Sequence, residues 1–139
     1  MKLFSVLLLA ALAAGSLALD KCTVLDALRN SDVIGIKGYT LEDFMCMVHH
    51  ASFYDHTLNR SPPEYGIFQI NSYWWCNDGY TRGRKNLCGV SCNALLNTDL
   101  SDDIRCLKRI LRDPNGLGAW SVWTRHCRGR SLGSYTSGC

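Results

Sequence analysis

At 139 residues, 19% of them charged and with a formal net charge of +3, the chain is long enough for one domain and too short for two. The basic surplus is weak and spread along the sequence, which argues against a nucleic-acid binder or a strongly membrane-directed protein.

The first eighteen residues carry one charge, Lys2, then the apolar run Leu3 to Ala14 and the small-residue ending Gly15-Ser16-Leu17-Ala18. That order predicts a secretory signal peptide at 1–18 and a secreted, extracellular domain at 19–139. A signal anchor is the alternative, since the apolar stretch reaches Leu19 and approaches spanning length. The Ser16-Leu17-Ala18 ending suits signal peptidase, however, and no stop-transfer pattern follows. Without Lys2 the formal charge is +2.

Thr23 with Asp26, and Thr40 with Asp43, each place an acid three residues after a hydroxyl, the pattern of a capped helix start. Val24, Leu25 and Leu28, then Leu41, Phe44, Met45 and Val48, recur at helical spacing. The polar segment Asp55 to Arg60 and the pair Pro62-Pro63 break that periodicity, and Glu64 to Asn71 reads as a strand. Asn77-Asp78-Gly79 and Arg82 to Asn86 read as loops. A third helix is expected after Ser101, with Ile104, Leu107, Ile110 and Leu111 on one side, ending before Pro114-Asn115-Gly116. A fourth, shorter one is expected over Ala119 to Arg125. Helices plus one small sheet, without internal repeats, predict an α+β domain.

All eight cysteines lie after the expected cleavage site, in a chain bound for an oxidising compartment, which predicts four disulfides. Zinc is the rival use, yet Cys88 and Cys92 form the only close pair, and no histidine stands near them at ligand spacing. Eight cysteines allow 105 pairings, and spacing alone does not choose among them.

Tyr65-Gly66-Ile67-Phe68-Gln69-Ile70-Asn71, Tyr73-Trp74-Trp75-Cys76-Asn77-Asp78-Gly79, Asn86-Leu87-Cys88, Cys92-Asn93-Ala94-Leu95-Leu96 and Gly118-Ala119-Trp120-Ser121-Val122-Trp123 together resemble c-type lysozymes. The resemblance runs from Cys22 to Cys139. It implies the pairs Cys22 with Cys139, Cys46 with Cys127, Cys76 with Cys92 and Cys88 with Cys106. It also implies a helical lobe, a small antiparallel sheet lobe and a sugar-binding cleft between them. The sibling branch, α-lactalbumin, shares the fold without being a hydrolase, so the resemblance fixes the fold and leaves the activity open.

Lysozymes are the type case of a glycosidase with two carboxyl groups, one a protonated acid and one an ionised partner. Counting as the resemblance implies, five residues after the helix cysteine Cys46, the acid's place is taken by Ala51. The second carboxylate, just before Tyr65-Gly66, is Glu64, one methylene longer than the family's aspartate. His49, His50, Asp55 and His56 are the candidates to replace the acid. His50 is rotated about 100° from Ala51 on a helix, and Asp55 and His56 would have to fold back. Because proton donation contributes about 10²- to 10⁴-fold, hydrolysis is expected to be weak or lost.

By the same resemblance Asn71, Trp74, Trp75, Asp113, Ala119 and Trp120 stand where lysozymes contact N-acetylglucosamine rings. Indole faces cover sugar faces, and amide and carboxylate groups hydrogen-bond the substituents. A core role for Trp120 and Trp123 and a turn role for Asn71 are equally open. Of the neighbouring Trp74 and Trp75, one is expected to be exposed, since successive side chains on an extended segment face opposite ways.

The segment from Ala94 to Asp103 is similar to the calcium elbow of α-lactalbumin and calcium-binding lysozymes. The implied ligands are the carbonyls of Ala94 and Asp99 and the side chains of Asn97, Asp102 and Asp103, with waters completing the shell. Asn97 replaces an aspartate there, so affinity is expected to be reduced. The plainer reading is that Asp102 and Asp103 complement a helix N-terminus.

The leading expectation is a monomeric, calcium-binding protein that takes N-acetylglucosamine-containing glycans or bacterial cell wall, with little or no hydrolysis. The alternatives are an antibacterial muramidase cleaving β-1,4 bonds of peptidoglycan, and a glycosyltransferase regulator in the α-lactalbumin manner.

Overall fold

The computed structural model describes residues 18–60 and 63–139. The expected signal peptide lies, apart from Ala18, outside the described residues. Among the described residues four α-helices, α1 (Lys21–Arg29), α2 (Leu41–Ser52), α3 (Ser101–Leu111) and α4 (Ser121–His126), surround one core. Three two-residue strands, β1 (Asn59–Arg60), β2 (Glu64–Tyr65) and β3 (Ile70–Asn71), form the second lobe. The sheet order is β1-β2-β3, with both pairs antiparallel. The α+β expectation is met.

Helix α2 begins as the sequence predicts. Asp43 N donates to Thr40 Oγ1 at 3.2 Å and Thr40 N donates to the Asp43 carboxylate at 2.9 Å, a reciprocal cap that satisfies two otherwise unpaired donors. Helix α1 corrects the expectation at Thr23, which lies inside the helix. Asp20 takes the cap, its carboxylate accepting from Cys22 N at 2.7 Å, because an acid is as good a cap as a hydroxyl and stands earlier in the chain. Helix α4 starts two residues later than expected, since Gly116–Ala119 forms a 3-10 turn before it.

The single strand expected from Glu64 to Asn71 is instead a hairpin. Gly66 (φ 78°) and Gln69 (φ 49°) both adopt the left-handed region between β2 and β3, which turns the chain back on itself. Gly66 is also confined sterically: a Cβ there would lie 2.1 Å from the carbonyl oxygen of Leu95. Strand β1 falls in the segment read as irregular, where two exposed residues leave no periodic signal.

The core joins both lobes. Phe44, Met45, Met47 and Val48 of α2 are fully buried with Leu25 and Leu28 of α1, Leu107 and Leu111 of α3, and Ile67 and Phe68 of the hairpin. The four disulfides pair as the resemblance implies. Cys46–Cys127 ties α2 to the end of α4, and Cys22–Cys139 ties the start of the domain to its end, closing long loops that would be entropically open in the unfolded chain. Among the described residues no helix is long and apolar enough to cross a membrane.

Where α2 meets the C-terminal segment, His50 stacks on His126 with ring centroids 4.3 Å apart, and its Nε2 lies 2.9 Å from the Tyr135 hydroxyl. Burial lowers the His50 pKa, and the neighbouring His126 and His49 charges lower it further. Burial and Lys21 do the same to His49. A histidine that binds its proton less readily when folded contributes stability that is complete above the ordinary value of 6.5 and lost as pH falls below it. Thermal melts are therefore expected to shift downward between pH 7.5 and pH 5, with a smaller shift in His126→Gln. An equal shift in the variant would contradict this account.

Candidate functional site

The two lobes meet in a groove with a cavity volume of about 140 Å³. Its helical wall begins at Ala51, which lies one turn beyond Met47 and Val48 on the inward face of α2 and is only 3% exposed. Opposite it, the sheet contributes Arg60, Glu64 and Asn71, and the chain beyond contributes Trp75. The fourth side is built from Ile110 of α3 and the run Ala119 to Val122 at the entry to α4. The structure thus gathers six of the expected residues, Ala51, Glu64, Asn71, Trp75, Ala119 and Trp120, around one space.

Register fixes the neighbours of Glu64. It is the cross-strand partner of Arg60 on one side and of Asn71 on the other, so a carboxylate sits between a cation and an amide. Among the described residues lining the groove, Glu64 is the only acid, and no histidine, cysteine or tyrosine accompanies it. None of His49, His50, Asp55 and His56 lines this space. His50 is engaged with His126 and Tyr135, His49 packs against Phe53 at 4.5 Å, and Asp55 accepts from Thr57 N and Oγ1 at 2.9 and 2.7 Å. One carboxylate can balance a developing positive charge, but protonating a leaving oxygen requires a second group.

The groove is equipped to hold polar ligands. Gln69 donates from Nε2 to the carbonyls of Leu58 and Gly66 at 2.9 and 2.8 Å, while its Oε1 is buried without a hydrogen-bond partner. A buried acceptor left without a donor is costly, and this one is closed to solvent, so Gln69 holds the hairpin together as part of the groove's lining. Asn71 is both turn residue and wall: its Oδ1 accepts from Tyr73 N at 2.7 Å, which leaves the carboxamide nitrogen as donor.

The adjacent indoles part as expected, Trp74 being 48% exposed and Trp75 8%. The buried one forms groove wall, with the Arg109 guanidinium 5.6 Å from its ring centroid. Trp74 stands outside the cavity beside it. Trp120 serves core and groove together, since its Nε1 donates to the Phe68 carbonyl at 2.7 Å and its ring lines the space. Trp123 is core, with Nε1 donating to Asp43 at 3.2 Å. Asp113 does not line the cavity; it pairs with Arg109 at 3.1 Å, and its backbone carbonyl accepts from Lys37.

Arg60, Gln69, Ile70, Ile110, Ser121 and Val122 were not singled out from the sequence. Ile70 and Ile110 could have been found as apolar positions flanking the motif, whereas nothing local marks Arg60 or Gln69.

In the elbow before α3, Asn97 Oδ1 accepts from Asp99 N at 3.0 Å, Asp99 Oδ1 accepts from Ser101 N at 3.0 Å and Oγ at 2.6 Å, and Asp102 pairs with Arg105. Asp103 differs. It is fully buried, both carboxylate oxygens lack a hydrogen-bond partner, and burial pushes its pKa up to about 8. Burial therefore favours the neutral, protonated form of this carboxyl in the absence of a cation, and ionising it there would require a counter-charge. Among the described residues no group of three or more His, Cys, Asp or Glu is placed to hold a metal, so a site here needs main-chain and amide oxygens as well.

Residues 17–139 match the C-type lysozyme/alpha-lactalbumin family. The chain is similar to Lysozyme C of Bufo gargarizans andrewsi, at 44% identity over 125 residues, covering 86% of each chain. It is similar to Lysozyme C II of Oncorhynchus mykiss, at 44% over 143 residues, covering 100% of this chain and 99% of that one. Human Sperm acrosome-associated protein 5 is 44% identical over 125 residues, covering 86% of this chain and 77% of its own.

Proposed function

Because the chain belongs to the C-type lysozyme/alpha-lactalbumin family, we propose that it is a secreted protein that holds N-acetylglucosamine-containing glycans in the groove, with hydrolysis weak or lost. The observation that carries this reading is the groove's content: one carboxylate, Glu64, facing an alanine, amid indole and amide groups suited to sugars. Binding needs apolar faces and hydrogen-bonding groups, which Trp75, Trp120 and Asn71 supply. Cleavage also needs a second acid to protonate the leaving oxygen, and among the described residues none besides Glu64 lines the space.

Trp74 offers the cleanest test because its exposed ring can be removed without opening the core. Titration of chitotriose is expected to show about tenfold weaker binding in Trp74→Ala, the loss of one stacking surface. Unchanged affinity would remove Trp74 from the site.

We further propose that calcium binds the elbow, held by the carbonyls of Ala94 and Asp99 and the side chains of Asn97, Asp102 and Asp103. The open oxygens of Asp103 support this reading. Calcium would neutralise the buried carboxylate and tie the elbow to the start of α3.

A second reading, an active muramidase, is favoured by the names of the relatives, several of which are lysozymes. It requires Glu64 as the charged partner and a proton donor delivered from outside the cavity lining. Wall turnover abolished by Glu64→Gln would establish it.

A further inference from the structure

Beside the groove, the chain from Tyr73 to Cys88 folds back along itself. Lys85 N donates to the Tyr73 carbonyl at 2.8 Å, Leu87 N to that of Trp74 at 2.9 Å, and Cys88 N to that of Trp75 at 3.0 Å. The basic loop is therefore bonded directly alongside the two tryptophans. Gly83 lies against Tyr73, where a Cβ would make ordinary van der Waals contact with the ring at 3.5 Å.

Tyr73 and Trp74 meet edge to face, with centroids 4.8 Å apart, and both remain open to solvent. Arg82, Arg84 and Lys85 are exposed on the neighbouring segment. Arg84 Nη1 donates to the Thr81 carbonyl at 3.2 Å, which spends one donor and leaves the charge unbalanced. The ion pairs among the described residues include none with Arg82, Arg84, Lys85 or Arg60.

The facing acids do not cancel this charge. Asp78 is the only acid between residues 73 and 90, and it is committed to its own turn, accepting from Tyr80 N at 3.0 Å, Thr81 N at 2.8 Å and the Thr81 hydroxyl. Burial opposes its ionisation, but these bonds hold its pKa down to about 2. Glu64 is the cross-strand neighbour of Arg60, and no ion pair joins it to Arg82, Arg84 or Lys85. Three uncompensated cations on one short loop are conspicuous in a chain whose whole net charge is +3. A neutral sugar gives them nothing to do.

We infer that this rim selects a sulfated glycan, with Tyr73 and Trp74 covering sugar rings while Arg82, Arg84 and Lys85 pair with sulfate groups on the same chain. The inference rests on the glycan-binding reading of the groove and adds the ligand's charge. Guanidinium groups suit sulfate because their planar fork presents two parallel donors to an oxyanion.

The test compares a tetrasaccharide carrying 6-O-sulfated N-acetylglucosamine with its desulfated counterpart, both titrated into the disulfide-intact protein. At about 50 mM salt the sulfated probe is expected to bind about tenfold more tightly, and the advantage should shrink at about 0.5 M salt. The triple variant Arg82→Ala, Arg84→Ala, Lys85→Ala should lose the advantage and keep its affinity for the desulfated probe, since these side chains are exposed and lie outside the groove. Equal affinity for both probes in the wild type, or an advantage that survives in the triple variant, overturns the inference and leaves the glycan reading standing. Failure of both probes to bind overturns both readings.

Discussion

Ala51→Glu is expected to raise the rate of peptidoglycan clearing by about 10²- to 10⁴-fold over the wild-type chain, the usual worth of a positioned proton donor. The groove already holds what such a donor needs. Glu64 remains as the ionised partner, and the cavity of about 140 Å³ beside Ala51 leaves room for a longer side chain. Apolar neighbours such as Ile110, Trp120 and Val122 line the same space, so the introduced carboxyl would meet the burial that keeps an acid protonated near neutral pH. Ala51→Gln is the control, matching the glutamate in shape without its proton, and should stay at the wild-type level. Equal clearing by the two variants would mean that the alanine is not what limits hydrolysis.

Calcium should raise the melting temperature, and Asp103→Asn should remove that response. At a hundredfold excess over its dissociation constant a ligand that binds only the folded chain contributes about 2.7 kcal/mol, worth about 10 °C for a domain of this size. The variant separates this reading from simple helix complementation. With Asp103 fully buried and unpartnered, the metal-free wild type carries an uncompensated polar group that asparagine makes uncharged. The variant should therefore melt no lower than the wild type in chelator and should gain nothing from calcium. Identical wild-type melts with calcium and with chelator would dismiss the site.

Local chemistry explains which parts of the fold were legible in the sequence. The start of α2 was readable because Thr40 and Asp43 complete a reciprocal cap; the start of α1 was misplaced because Asp20 offers an equally good cap before Thr23. Glu64 to Asn71 has the residue types of a strand, but two left-handed positions make it a hairpin. Gly66 announces such a turn, whereas Gln69 adopts a positive φ that its residue type disfavours. The disulfide pairing came through resemblance, since spacing leaves every combination open.

The candidate site was legible where single residues carry its chemistry. Ala51 and Glu64 line one groove, and Asn71, Trp75, Ala119 and Trp120 line it with them. Arg60 was missed because a two-residue strand has no periodicity to show, and Gln69 because its unsatisfied oxygen is a property of the folded hairpin. Asp113, like Trp74, stands outside the cavity lining, where it pairs with Arg109 one helical turn earlier.

The most direct test of the central claim measures two properties of one purified, disulfide-intact sample: calorimetric binding of chitotriose and clearing of peptidoglycan. Binding without clearing is the predicted result, and it would identify Ala51 as the point at which catalysis was lost while recognition was kept. Clearing by the wild-type chain would contradict the account and require a proton donor other than the residues that line the groove.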